Sequence, residues 1–173
     1  YKIFRSTVSE WIYTALSEHT NYKSIDESSF AFEADDIQSQ VSMDLSGESD
    51  NNRSRPDLTI DTGVSKLMLE LKVEPYCELT DNQPESYLSL LQEDKQENKS
   101  ATHKALLFIV PKYYQYQNEI SDRVAEWKKN AELSKDSKSD SILFSILYWE
   151  DLSALIKSKG LYEVNDVFRQ FVD

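Results

Sequence analysis

Apolar residues recur at three- and four-residue spacing between positions 3 and 19: Phe4, Val8, Trp11, Ile12, Ala15 and Leu16. That period predicts an amphipathic helix. Ser6 or Thr7 is placed to cap its start, with Glu10 as the capping-box partner of Thr7. Asp26 to Ser29 reads as a polar turn. From Ile37 to Met43 apolar and polar residues alternate, which predicts a half-buried strand. Ser46 to Arg55 has no period and reads as a loop. Leu58-Thr59-Ile60 is a short strand, Asp61-Thr62-Gly63 a turn, and Lys66 to Val73 a strongly apolar strand. These last three form a hairpin.

Further on, Pro84 suits the first turn of a short helix holding Tyr87 to Leu91. Glu93 to Ser100 is a charged loop or a fraying helix end. Ala105 to Val110 is a continuous apolar run stopped by Pro111, the pattern of a buried central strand. Tyr113 to Leu133 contains a helix with Ile120, Val124 and Trp127 on one face, and Ser134 to Asp140 is a loop. Ile142 to Tyr148 is a second buried strand, followed by helices at Asp151 to Lys157 and Val164 to Phe171. The order is helix, three strands, helix, strand, helix, strand, helices. Early strands joined by a hairpin and later ones alternating with helices predict an α/β fold: a mixed central sheet flanked by helices on both faces. No repeat or long linker divides the 173 residues, so 1–173 reads as a single domain.

Against this pattern three charged residues stand out. Asp57 opens one strand of the hairpin, while Glu70 and Lys72 interrupt the apolar run of the other. Strand side chains alternate, so Glu70 and Lys72 share one face and Leu69, Leu71 and Val73 the other. Charges on a core-like strand are expensive unless paired, solvated or bound to metal. The hairpin carries Asp57 toward Glu70. The two carboxylates, with the Leu71 carbonyl, make an all-oxygen ligand set for Mg²⁺ or Mn²⁺. Lys72 can orient or deprotonate a water, or stabilise extra charge on phosphorus.

Arg55-Pro56-Asp57-Leu58-Thr59-Ile60 followed by Leu69-Glu70-Leu71-Lys72-Val73 resembles the signature of the PD-(D/E)xK nuclease superfamily. Gln83-Pro84-Glu85-Ser86-Tyr87 is similar to the Gln-x-x-x-Tyr motif of its RecB-like branches. The resemblance implies a restriction-endonuclease-like fold and metal-dependent hydrolysis of phosphodiester bonds, with DNA the expected substrate. Asp57, Glu70 and Lys72 would be the catalytic core, and Gln83 and Tyr87 would position the site and the nucleic-acid backbone. A setting in restriction, defence, repair or mobile elements is implied on the same ground. The family often adds an acidic residue from the first helix. Glu10 and Glu18 are the candidates, and Glu18 is preferred because it falls at the edge of the apolar face, at about 100° per residue.

Charge changes the picture. There are 31 acidic against 19 basic side chains, a net charge of -12. Nucleic-acid binding normally has a basic footprint, so a second reading is kept: a catalytically inactive interaction domain with the same fold. A bound cation and a local basic channel would offset the acidic average. Arg53 and Arg55 lie near Asp57, whereas Lys128, Lys129, Lys135 and Lys138 read as a solvated face. Tyr113, Tyr114 and Tyr116 beside Lys112 are either base-stacking groups or a packed junction. His19 and His103 have no Cys/His cluster around them and no zinc site is expected. The lone Cys77 cannot form an internal disulfide, which fits a cytoplasmic protein. No apolar run is long enough for a membrane span. The chain opens on Tyr1, so a fragment of a longer protein with further domains stays open, as does a homodimer.

Overall fold

A computed structural model describes residues 2–18, 26–40, 55–93, 101–133 and 142–161. It is a mixed α/β fold. The elements run α1 (Lys2–Ser17), two short 3₁₀ turns (Glu27–Phe30 and Ala34–Asp36), β1 (Ile37–Ser39), β2 (Leu58–Asp61), β3 (Ser65–Leu71), α2 (Glu85–Glu93), β4 (His103–Val110), α3 (Gln117–Leu133), β5 (Ile142–Tyr148) and α4 (Trp149–Ser158). The five strands form one sheet in chain order. β1, β2 and β3 pair antiparallel, and β3, β4 and β5 pair parallel. The β2–β3 turn is closed by Gly63 at φ 76°, a left-handed angle that a side chain disfavours, and by the Asp61 carboxylate accepting from its N–H.

Strand alternation sorts the core into two layers. Leu67 and Leu69 of β3, with Ala105, Leu107 and Ile109 of β4, pack under Trp11, Ile12 and Leu16 of α1 and Leu152 and Ile156 of α4. Met68, Leu106, Phe108 and Val110 face the other way, against Tyr87, Leu88 and Leu91 of α2 and Ile120 and Val124 of α3. The sheet grows in one direction from β3 to β5, so two crossovers of the same hand put α2 and α3 on one face. α1 and α4 cover the opposite face. The apolar run Ala105 to Val110 is buried throughout because β4 is paired on both sides and covered on both faces.

Local differences from the sequence pattern have local causes. α1 already spans Lys2, so Ser6 and Thr7 lie inside it and cap nothing. β1 is three residues long and exposed where the alternation predicts a half-buried strand, and the rest of that stretch, from Val41, lies outside the described residues. Among the described residues β1 pairs with β2 alone, as an edge strand, and Gln40 at φ 51° follows it. β5 pairs with β4 alone among the described residues and is buried only in part. β3 ends at Leu71, leaving Val73 exposed. The loops read at 46–54, 94–100 and 134–140, the helix at 164–171, Met43, Arg53, Lys135, Lys138 and His19 lie outside the described residues. Among the described residues no helix is long and apolar enough to cross a membrane.

Candidate functional site

The β2–β3 register sets Leu58 opposite Leu69, so one step further Asp57 stands opposite Glu70. Both then share the face of β3 that also carries Met68 and Lys72. Pro56, next in line, has no N–H and cannot extend the ladder. The Leu71 carbonyl therefore gets no donor from Pro56, while the Leu71 N–H is met by the Asp57 carboxylate, whose Oδ2 accepts from it at 2.8 Å. A residue in a strand directs N–H and C=O to the same side, so the Leu71 carbonyl faces the Asp57 side as well. Lys72 lies just past the strand end, yet its N–H still bonds the Ile109 carbonyl at 2.9 Å.

Around this hairpin four side chains form a closed ring. Lys72 Nζ lies 2.9 Å from Glu70 Oε1. The Tyr87 hydroxyl lies 2.9 Å from Glu70 Oε2, the better acceptor for its proton, and 3.2 Å from the Arg55 carbonyl. Gln83 Nε2 donates to the Tyr87 oxygen at 2.8 Å. Gln83 Oε1 accepts from Lys72 Nζ at 3.3 Å and closes the circuit. Lys72 also donates to the Glu78 carbonyl at 3.2 Å. Glu70, Lys72, Gln83 and Tyr87 are all buried, whereas Asp57 is half-buried. Burial, then the Glu70 charge, then a smaller contribution from Asp57 push the Tyr87 hydroxyl above the usual tyrosine range. Both carboxylates therefore act on the same phenol.

Gln83 reaches Tyr87 from the turn preceding α2, after which a cis Gln83–Pro84 bond leads into the helix; the two do not share a helical face. Arg123 of α3 holds the start of α2 through two bonds of 2.7 Å to Glu85 and one of 2.8 Å to the Asp81 carbonyl. The segment after β3 is fixed from the other side. Tyr114 donates to the Cys77 carbonyl at 2.6 Å, and the Gln115 N–H donates to Pro75 at 2.9 Å. Tyr114 is thus a buried clamp for the segment that presents the Glu78 carbonyl, and burial raises its hydroxyl pKa too. Tyr113 is 87% exposed.

The structure brings Asp57, Glu70, Leu71, Lys72, Gln83 and Tyr87 together. It does not bring Glu18, which is exposed past the end of α1. Among the described residues no three His, Cys, Asp or Glu side chains form a group able to hold a metal ion. Glu10, expected in solvent, pairs with Lys159 after α4. Arg55 is turned toward Gln40, binding its carbonyl and its side-chain oxygen at 2.8 and 2.9 Å. His103 sits at the start of β4 with its ring 6.1 Å from that of Phe30, and burial lowers its pKa. One contributor had no sequence signal: the Trp149 indole donates to the Lys72 carbonyl at 2.8 Å, across 77 positions of chain.

Asp57, Glu70 and the Leu71 carbonyl are oxygen donors, the kind that hard divalent cations take, but both Glu70 oxygens are engaged by Lys72 and Tyr87 and Asp57 Oδ2 by the Leu71 N–H. No protein-family model, curated protein or solved structure matches this chain.

Proposed function

We propose that the chain is a divalent-metal-dependent nuclease of PD-(D/E)xK type that hydrolyses phosphodiester bonds in DNA. The observation that carries this reading is the buried ring of Glu70, Lys72, Gln83 and Tyr87 beside the half-exposed Asp57. Apolar residues of similar volume often replace a buried ion pair without loss of stability. Stability alone therefore does not explain why an ammonium and a carboxylate, each hydrogen-bonded by further polar groups, occupy the end of this strand. Asp57, Glu70 and the Leu71 carbonyl would hold Mg²⁺ or Mn²⁺, which supplies charge neutralisation and acidifies water. Lys72 offers a fixed positive charge to oxygens that become more negative at phosphorus. Tyr87 and Gln83 keep Glu70 and Lys72 from rotating away.

Cleavage of plasmid and single-stranded DNA in Mg²⁺ or Mn²⁺ tests it. Wild-type protein should cleave and lose activity in chelator, and Asp57→Asn and Lys72→Ala should each fall by about 100-fold or more, the scale of losing one electrostatic contributor. Equal cleavage by wild type and Asp57→Asn would sink the assignment. The net charge of -12, and the lack of a third carboxylate in the group among the described residues, favour one other reading, a non-catalytic interaction domain. Its signature is metal-independent folding with no cleavage of any DNA.

A further inference from the structure

An open groove of about 730 Å³ lies where β3 and β4 end and α4 begins, walled by Val73 and Pro111 and, from α4, by Trp149, Glu150, Ser153, Ala154 and Lys157. In α/β sheets this end of the parallel strands is where ligands bind. The groove is joined to the ring through one group: the indole that walls it is the one whose N–H holds the Lys72 carbonyl. Val73, which helps to line it, is 76% exposed.

We infer that this groove seats an unpaired nucleobase of the substrate strand, whose backbone would round the end of β3 to reach Asp57, Glu70 and Lys72 on the opposite face of the sheet. The inference rests on the nuclease reading and narrows its substrate to single-stranded or frayed nucleic acid. The choice of occupant follows from the lining. A duplex shows phosphates and base edges, and holding it takes a row of cations. Here Glu150 is taken up by the Lys112 N–H, at 3.1 and 3.2 Å, and Lys112 Nζ by Asp151 at 2.6 Å. Lys157 is exposed and, among the described residues, has no carboxylate partner. One lysine matches one phosphate. The rest of the wall, indole, proline, valine and alanine with the one hydroxyl of Ser153, is mostly apolar and matches the flat apolar face that only an unpaired base exposes, and such stacking tolerates any base. The volume is in the range of small-ligand pockets, too small for a base pair with both its strands.

A ten-nucleotide thymidine strand and a blunt duplex of mixed sequence are titrated in chelator, so that nothing is cleaved, with tryptophan fluorescence as the readout. The single strand should quench wild type and bind at least tenfold more tightly than the duplex. Trp149→Phe should lose the quench. Ala154→Glu, at an exposed helical position, should fold normally by circular dichroism and bind the strand at least tenfold more weakly. Equal affinity of wild type and Ala154→Glu, equal affinity for strand and duplex, or a quench that survives in Trp149→Phe would each overturn the groove. Cleavage in Mn²⁺ separates the two readings. If wild type and Ala154→Glu cleave and bind alike, the groove falls and the nuclease stands. If the strand seats with its quench but no protein cleaves, the groove stands and the catalytic assignment falls.

Discussion

Glu70 and Lys72 illustrate how a charged pair is kept inside a strand. Each has about nine-tenths of its side chain out of water, a position that is unfavourable for either alone. Removing one partner strands the other, at a cost of roughly 3–5 kcal/mol. Glu70→Met and Lys72→Met should each destabilise on that scale, while the double variant should lose less than the worse of the two. Chemical denaturation of the four proteins measures this. Additive losses would show that the pair is not energetically coupled. Tyr87 makes a second case. Its hydroxyl pKa is raised in the folded state above the ordinary value of 10.0, by burial first and Glu70 next. The folded protein therefore holds this proton more tightly than the unfolded chain. That stabilisation is complete below pH 10 and is lost as the pH rises beyond it, through the folded pKa. Tyr87→Phe should flatten the decline in stability above pH 10 relative to wild type; parallel curves would remove Tyr87 as a cause.

At the level of elements, α2 sets the ring, since it carries Tyr87 and is preceded by Gln83. It is held by Leu88 and Leu91, both fully buried against the sheet. Leu91→Ala should cost about 2–5 kcal/mol and lower activity in proportion to unfolded protein only. A loss of turnover beyond that fraction would show that α2 shifts as a body. The sequence made most of these elements legible because periodicity is local: the spacing of Val8, Trp11 and Ala15 and the run Ala105 to Val110 are each read within one segment. The alternation in β3 likewise placed Glu70 and Lys72 together. What it could not reach is set by neighbours. Ile37 lies on an alternating stretch, but its exposure follows from standing at a sheet edge. Gln83 and Tyr87 are four apart, but a turn rather than a helical face joins them. The bond from Trp149 to Lys72 depends on β5 ending level with β3 across β4, which no spacing records. Glu18 was chosen from helical phase alone, and phase gives a direction around α1 without giving a distance to the hairpin.

For the whole molecule, charge is the main constraint. A divalent cation that binds only the folded arrangement stabilises by RT ln(1 + [M]/Kd), about 1.4 kcal/mol at roughly ten times Kd. For a chain of this length that is a rise in melting temperature on the order of 3–6 °C. Asp57→Asn is the informative comparison, because an amide oxygen can still accept the Leu71 N–H while the charge is gone. Wild type should show the rise in Mg²⁺ or Mn²⁺ and Asp57→Asn should lose most of it. A similar rise in both would place the ions elsewhere on a surface with net charge -12.

The two borders of the sheet are not equivalent. On one side β1 stops after three residues, its course bent by Gln40 and its end tied down by Arg55. On the other side β5 runs for seven residues and, among the described residues, bonds to β4 alone. Among the described residues the outer edge of β1 is three residues long and that of β5 seven, so the longer template for a further strand, whether from this chain or another, lies at the strand that leads into Trp149.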